Sequence, residues 1–140
     1  MKKVLTIYLA TKNVAKEVMM IKIPKPGSPV RGSESGKPVM ALFDLLGRRW
    51  SMGIIWNLSQ SHMNFRQLQE KCESISPTIL NTRIKELRMA LLIENTEDGY
   101  ALTELGEELF SILHPFKNYA IKWGELLKEK ENNHEDLCEK

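Results

Sequence analysis

The chain has 140 residues, of which 42% are hydrophobic and 27% are charged, and this composition suits one ordinary folded domain rather than a disordered chain. No apolar run approaches the roughly 18–20 residues that a membrane-spanning helix needs. The formal net charge is only +2, yet residues 1–49 carry +7 and residues 101–140 carry −4. Such an uneven distribution leaves one basic region that could face an anionic partner.

Neither the start of the chain nor its cysteines indicate secretion. Two lysines precede an apolar stretch over residues 4–10, which is at the short limit for a signal peptide and is followed by no small-residue cleavage pattern. Cys72 and Cys138 are far apart and do not form a disulfide framework. We therefore expect a cytoplasmic protein without a membrane partner, in which Cys72 is a small core residue.

The first zone, residues 1–37, is predicted to be an N-terminal extension that ends in a basic linker rich in proline, glycine and serine. Whether its apolar residues 4–9 form a strand or a short helix stays open. Pro38 suits the first position of a helix, and apolar residues then recur at helical spacing until Gly47 ends it. A second apolar stripe follows at Trp50, Ile54, Ile55 and Leu58.

The next segment predicts two short helices joined by a tight turn, over residues 66–73 and 76–90. From Phe65 the apolar residues of the first helix are spaced three, four and three apart, which places them on one helix face. Ser76 can cap the second helix, and Pro77 stands where its missing N–H costs nothing. The apolar face of this helix carries Leu80, Ile84, Leu87 and Leu91, and its other face carries Thr78, Asn81, Thr82 and Lys85, with Arg83 and Arg88 at the flank.

A small β-hairpin is predicted after the helix pair. Residues 92–94 and 100–102 are short strand candidates, and the segment between them ends in an Asp-Gly pair that favours a turn. Thr103 then provides a natural N-cap for a further helix.

The remaining residues predict a long helical region with one interruption. Its apolar stripe runs from Leu105 to Leu127, and Pro115 should kink or break the helix. We accordingly divide the chain into the extension, a folded domain over residues 38–130 and a charged C-terminal tail over residues 131–140.

The helix pair has features that suit a helix-turn-helix reading DNA. A recognition helix must be narrow enough to enter the major groove, and the preceding helix positions it by lying across the backbone. Threonine, asparagine and arginine can hydrogen-bond to base edges or phosphates, while Ser76, Thr78 and the N–H groups at the helix start suit phosphate. A plain helical hairpin in a small α-rich domain fits the pattern at least as well, so the residues alone leave both interpretations open.

An ordered set of motifs between Pro38 and about Leu127, roughly two-thirds of the chain, resembles the HxlR-type (DUF24) regulators, a winged-helix family related to the MarR-type regulators. Each motif alone is weak, whereas the set in the family's order is specific. The motifs are Pro38-Val39, Leu45-Leu46-Gly47-Arg48-Arg49-Trp50, Asn64-Phe65-Arg66-Gln67-Leu68, the run from Ser74 to Leu87, Leu92-Ile93 and the run from Tyr100 to Gly106, with Trp123 in the last helix.

The resemblance implies a mainly α-helical winged helix-turn-helix with a three-helix DNA-binding core, a short wing and a long C-terminal helix for dimerisation. It further implies a sequence-specific transcriptional regulator of the repressor type. The first and last helices would build a homodimer, and the recognition helices, residues 76–90, would enter a pseudo-palindromic operator in double-stranded DNA. The positions carried over as DNA-binding are Arg66, Ser76, Pro77, Thr78, Asn81, Thr82, Arg83 and Lys85, with most weight on Asn81 and Arg83. The resemblance leaves two interpretations open for Arg48 and Arg49, as phosphate contacts or as surface charges.

Two departures from the family pattern affect this interpretation. Family members often place a cysteine directly before the Pro-Val pair, where in some it senses electrophiles or oxidants, whereas this chain has Lys37. The wing is short and acidic, with Glu94, Glu97 and Asp98, and should contribute little to phosphate binding. We expect basic residues of the extension to supply those contacts instead, namely Lys22, Lys25, Arg31 and Lys37.

The sequence contains no residue combination typical of an enzyme or a metal site. His62, His114 and His134 share no helix-face spacing with each other or with a cysteine. No metal-ligand pair, phosphate loop or dinucleotide fingerprint is present. We therefore predict no catalytic residues, no metal and no cofactor.

Two other functions remain as alternatives. The low net charge and the acidic wing also fit a winged-helix module that binds proteins instead of DNA. A small-molecule effector site is conceivable beside Phe116, Tyr119 and Trp123, although such aromatic residues more often pack in an interface.

Overall fold

The structure, a computed structural model, describes the backbone of residues 21–138 and the side chains of residues 21–133. The chain divides into two compact units, of which the first ends at Glu107 and the second begins at Glu108. The predictions for residues 4–10 fall outside the described residues. The elements are α1 (Pro38–Leu46), α2 (Ser51–Leu58), α3 (Phe65–Lys71), α4 (Pro77–Met89), β1 (Ile93–Thr96), β2 (Gly99–Leu102), α5 (Glu104–Leu113) and α6 (Phe116–Cys138).

The core of the first unit is built from the inner faces of its helices and hairpin. Each of α1 to α4 buries apolar side chains that recur at helical spacing in the sequence, and the prediction of Cys72 as a core residue is confirmed. The prediction of Leu91 on the apolar face of α4 is wrong, because the helix ends at Met89 and Leu91, with a φ of 61°, is 67% exposed. Fully burying one such aliphatic side chain contributes about 1.5–3 kcal/mol, so this cluster fixes how the helices pack. The largest fully buried apolar side chains are Ile54, Ile55, Leu68, Leu80, Ile84 and Leu87.

The predicted start and end of α1 are confirmed, since the helix begins at Pro38 and Gly47 follows its last residue. The chain then turns sharply into α2 at Trp50, whose φ of 74° lies in the left-handed region. A residue with a side chain rarely adopts this conformation, so it must be held there by the surrounding contacts.

The hairpin forms where it is predicted, but its strands are longer. Ile93 lies opposite Leu102 and Thr96 lies opposite Gly99, so residues expected in the turn are paired and only Glu97 and Asp98 remain as the loop. The hydroxyl of Thr96 donates to the carbonyl of Gly99 at 2.8 Å and closes this turn. The wing is therefore a compact two-stranded hairpin with an acidic tip.

The hairpin is fixed to the segment that precedes α3. The N–H of Met63 donates to the carbonyl of Tyr100 at 3.1 Å, and the N–H of Tyr100 donates to the carbonyl of Met63 at 2.8 Å. Gly99 lies so close that a Cβ there would be 2.6 Å from the Met63 carbonyl, and its φ is +111°. Only glycine fits this position without displacing the backbone.

The predicted interruption at Pro115 is confirmed, because α5 ends at Leu113 and α6 begins at Phe116. α6 continues to Cys138, so the segment assigned to the charged tail over residues 131–140 begins as helix. Among the described residues, no helix is both long and apolar enough to cross a membrane.

Candidate nucleic-acid interface

The first helix of the predicted helix-turn-helix begins with a reciprocal cap. The side-chain oxygen of Asn64 accepts from the N–H of Gln67 at 2.9 Å, and the side-chain oxygen of Gln67 accepts from the N–H of Asn64 at 2.9 Å. This capping box satisfies two backbone donors that would otherwise be unpaired at the helix start. It fixes where α3 begins.

The turn between the two helices is held by local hydrogen bonds. Glu73 and Ser74 both have left-handed backbone conformations, with φ values of 54° and 57°. The N–H of Ser74 donates to the carbonyl of Gln69 at 3.0 Å, and the side-chain amide of Gln69 donates to the carbonyl of Ile75 at 2.8 Å. These bonds end α3 at Lys71, two residues earlier than the sequence predicts.

α4 begins as predicted, with Ser76 at the N-cap and Pro77 in the first turn. The hydroxyl of Ser76 accepts from the N–H of Ile79 at 3.3 Å. Leu80 and Ile84 are buried below it and anchor the helix on the core. The predicted site residue Ser76 therefore caps the start of this helix.

The predicted site residues of α4 share its outer side. Thr78, Asn81 and Thr82 are exposed, and Lys85 is half-buried. The hydroxyl of Thr82 donates to the carbonyl of Thr78 at 2.9 Å, which uses its proton and leaves its oxygen as an acceptor. This side of the helix thus presents short polar side chains and one cation, without a carboxylate among them.

Arg83 is directed along the flank of α4, away from those residues. Its side chain is 19% exposed, and a terminal guanidinium nitrogen donates to a carboxylate oxygen of Glu86 at 2.7 Å. Its Nε donates to the backbone carbonyl of Arg49 at 2.9 Å. Arg83 therefore connects α4 to the junction of α1 and α2.

Glu86 is a residue of this region that the sequence interpretation missed. The residue is buried, with 5% of its surface exposed. Arg48 donates to its other carboxylate oxygen at 2.6 Å, and Arg48 also lies 3.7 Å from Asp44. Position 86 looks like an ordinary helical glutamate in the sequence, because its partner Arg48 is 38 residues away.

Arg66 lies in the first turn of α3 and is 88% exposed. Its guanidinium is 3.3 Å from the carboxylate of Glu70, one helical turn along. An exposed pair of this kind contributes about 0.3–0.5 kcal/mol, so the guanidinium can leave it at little cost.

The basic residues of the extension have two different placements. The backbone N–H of Arg31 donates to Asp44 at 3.1 Å, and its guanidinium lies 3.6 Å from the same carboxylate. Lys22 and Lys25 line a cavity of about 520 Å³ together with Met89, the last residue of α4. These two lysines thus lie at the end of α4 opposite Ser76, and the expectation that the extension replaces the wing in phosphate binding stays a prediction.

The buried thiol of Cys72 is shielded from reaction. Burial raises its pKa above the ordinary cysteine value, the neighbouring charge of Glu73 raises it slightly more, and a hydrogen bond from the amide of Asn57 offsets part of this. The Asn57 nitrogen lies 3.8 Å from the sulfur. Since the thiolate is the reactive form, burial and a raised pKa both lower the reactivity of this thiol.

Comparison with known proteins identifies the domain. The sequence profile described as HxlR-like helix-turn-helix matches residues 45–128. The chain belongs to this family. It is therefore a DNA-binding transcriptional regulator of the helix-turn-helix type, which confirms the resemblance stated from the motifs and the prediction that the chain is not an enzyme.

Two similar proteins come from Bacillus subtilis (strain 168). The HTH-type transcriptional regulator YodB is 30% identical over 90 residues, which cover 59% of this chain and 80% of YodB. The HTH-type transcriptional regulator YvaP is 25% identical over 87 residues, which cover 57% of this chain and 81% of YvaP.

Solved structures of YodB match the fold of this HxlR-like chain. The quinone-bound form is 31% identical with a TM-score of 0.57, and the match covers 60% of this chain and 96% of that one. The reduced form gives 31% identity, a TM-score of 0.53, and coverage of 58% and 86%. Together with the hairpin after α4, these matches confirm the predicted winged helix-turn-helix.

Proposed function

We propose that this HxlR-like chain is a cytoplasmic, sequence-specific repressor that binds double-stranded DNA as a homodimer, with α4 in the major groove. The observation that carries the proposal is the division of α4 into two sides. Leu80, Ile84 and Leu87 anchor one side in the core, while the opposite side presents short polar groups to solvent. A helix held in this way can enter a groove without unfolding any part of the domain.

We assign the contacts with DNA to the residues carried over from the family. Asn81 is exposed and can make paired hydrogen bonds with the edge of an adenine. Thr82 offers an acceptor, and Lys85 supplies positive charge. Arg66 contacts phosphate from the start of α3, and the first turn of α4, with Ser76, Pro77 and Thr78, contacts the backbone that borders the groove. Arg83 supports this surface from the flank.

The homodimer is supported by the exposed apolar surface of the helices assigned to it. On α6 the side chains of Phe116, Tyr119 and Trp123 are 57–66% exposed and recur at helical spacing, and Leu126 and Leu127 continue the same stripe. On α1, Val39 and Phe43 are likewise exposed. An exposed apolar stripe such as that of α6 marks a protein interface. Since α6 supplies the aromatic residues, we assign them to the interface in preference to an effector site.

Two symmetric recognition helices imply an operator with two-fold symmetry. Its half-sites should lie about one helical turn of DNA apart. In-vitro selection of bound duplexes from a random pool tests this arrangement, and two similar half-sites at that spacing are the expected result.

The decisive variant is Asn81→Ala, measured against the selected operator. It should cost about 1–3 kcal/mol of binding free energy and relax the selectivity at one base pair in each half-site. Asn118→Ala is the matched control, because it truncates an exposed asparagine on α6 outside the apolar stripe. Equal affinity and selectivity for both variants would contradict the assignment of Asn81.

A protein-binding winged helix is the second candidate, and the exposed acidic wing favours it. The hairpin follows α4 in the chain, and its residues Glu94, Glu97 and Asp98 are all exposed. Their negative charges would repel phosphate. A DNA-binding protein should be retained on heparin and on random duplex DNA at low salt, and should be released steeply as the salt concentration rises. A protein-binding module would show neither behaviour.

A further inference from the structure

Two neighbouring arginines at the junction of α1 and α2 have opposite environments. The side chain of Arg48 is 22% exposed, and its guanidinium lies between the carboxylates of Asp44 and Glu86, at 3.7 Å and 2.6 Å. Arg49 is exposed, and its guanidinium carbon lies 5.4 Å from the centre of the Trp50 ring. Arg48 is thus neutralised inside the domain, while Arg49 carries its charge at the surface.

The backbone of Arg49 is fixed directly to α4. Its carbonyl accepts from the Nε of Arg83 at 2.9 Å, and Arg83 is itself held by Glu86 at 2.7 Å. The left-handed backbone of Trp50 turns the chain away immediately afterwards. Residue 49 is therefore held at a defined place on the flank of α4.

We propose that Arg49 is a phosphate-binding residue of the DNA interface and contacts the sugar–phosphate backbone beside the major groove that α4 enters. The major groove is ~12 Å wide and a helix with its side chains measures about 10–12 Å across, so residues on the flank of an inserted helix face the backbone. A guanidinium binds phosphate oxygens through paired charge-assisted hydrogen bonds. This inference rests on the proposed function.

Two features of the site suit this task. The contact with the Trp50 ring restricts the conformations of the Arg49 side chain, so less conformational freedom is lost on binding. The carboxylate of Glu86 is already occupied by Arg48 and Arg83, so Arg49 has no competing anion in that cluster. The internal network places Arg49 and leaves its charge available to an external phosphate.

The test measures binding of Arg49→Ala and Arg49→Lys to the selected operator and to random duplex, over a range of salt concentrations. Lys128→Gln is the matched control, since it removes one exposed positive charge from α6 outside the apolar stripe. Thermal unfolding of each variant checks that the fold is retained.

Arg49→Ala should weaken binding to both duplexes by a similar factor, about tenfold at low salt, and should reduce the salt slope by about one. Arg49→Lys should keep the slope and lose only part of the affinity, because lysine keeps the charge without the paired donors. Lys128→Gln should bind as the unsubstituted chain does.

Three results would overturn the inference. In the first, Arg49→Ala binds like Lys128→Gln. In the second, Arg49→Ala loses affinity for the operator but not for random duplex, which would make Arg49 a base-reading residue. In the third, the unsubstituted chain binds neither duplex, and the proposed function then fails as well. The first two results leave the proposed function intact.

Discussion

Among single residues, Glu86 has the contacts that most directly fix α4 to the rest of the first unit. Glu86 is 5% exposed, and its carboxylate accepts from two guanidinium groups, one on α4 itself and one at the junction of α1 and α2. Removing one partner of a buried ionic cluster leaves the others desolvated and uncompensated. Glu86 is therefore a structural residue whose loss would also move Arg83 and Arg49.

We expect Glu86→Gln to lower the free energy of unfolding by about 3 kcal/mol, because the two arginines lose the charge that compensates them. Urea denaturation measures this value. Glu70→Gln is the control, since it makes the same change in the exposed pair with Arg66 and should cost no more than about 0.5 kcal/mol. Similar losses in the two variants would show that the buried cluster contributes no more to the free energy of unfolding than the exposed pair does.

Cys72 gives a prediction about pH. Its pKa is raised by burial, so the folded state holds the thiol proton more tightly than the unfolded state does. This contribution to stability is complete below the pKa of the unfolded thiol and is lost as the pH rises through the higher folded pKa. The free energy of unfolding should therefore fall more steeply at alkaline pH in the unsubstituted chain than in Cys72→Ala. Parallel pH profiles would contradict the raised pKa.

At the residue level the sequence predicts local features and misses distant ones. The caps at Ser76 and the buried positions Leu80 and Ile84 follow from patterns within a few residues, and the structure confirms them. The placement of Arg83 was not foreseen, since it depends on Glu86, Arg48 and the Arg49 carbonyl meeting in space. A side chain at the flank of an amphipathic helix can turn either way, and only the tertiary neighbours decide.

At the level of elements, the boundaries that differ from the prediction have local causes. α3 ends early because the left-handed residues Glu73 and Ser74 complete hydrogen bonds within the turn. The hairpin strands are longer than predicted because Gly99 can pair with Thr96 while adopting a positive φ. Helical periodicity identifies the elements correctly, whereas their ends depend on backbone conformations that periodicity does not describe.

Two helical glycines are expected to respond in opposite ways to the same substitution. A Cβ at Gly106 in α5 would collide with the carbonyl oxygen of Leu92, while a Cβ at Gly124 in α6 would meet nothing within 4 Å. Gly106→Ala should therefore destabilise the domain by at least about 1–3 kcal/mol through overpacking. Gly124→Ala should stabilise α6 by about 0.5–1 kcal/mol.

Thermal unfolding of the two glycine variants side by side measures the difference. A tolerated Gly106→Ala would mean that α5 can move away from Leu92 at little cost. Destabilisation by Gly124→Ala would mean that this side of α6 is covered by another surface.

At the level of the whole molecule, we expect two copies of the chain to associate through the exposed apolar stripe on α6. Trp123→Asp places a carboxylate in the centre of that stripe and should convert the dimer to monomer, which sedimentation velocity resolves. Asn118→Asp adds the same charge on α6 outside the stripe and should leave the dimer intact. The assignment of α6 to the interface fails if Trp123→Asp remains dimeric.

The loss of the dimer should also weaken operator binding far more than binding to an isolated half-site. Two linked recognition helices bind a double site with an effective concentration that a monomer lacks. Comparing Trp123→Asp on full operator and on half-site duplexes measures this difference. Equal losses on the two duplexes would mean that the substitution damages the DNA-binding unit itself.

The hydrogen bonds between Met63 and Tyr100 fix the base of the hairpin but not its tip. The base shares backbone hydrogen bonds with the residue before the α3 cap, whereas the bonds at Thr96, Asp98 and Gly99 remain within the turn. Residues inserted between Glu97 and Asp98 would thus extend the reach of the wing and leave the helix pair undisturbed. A longer loop that carries arginine, inserted at this point, should give a variant whose wing also contacts the minor groove.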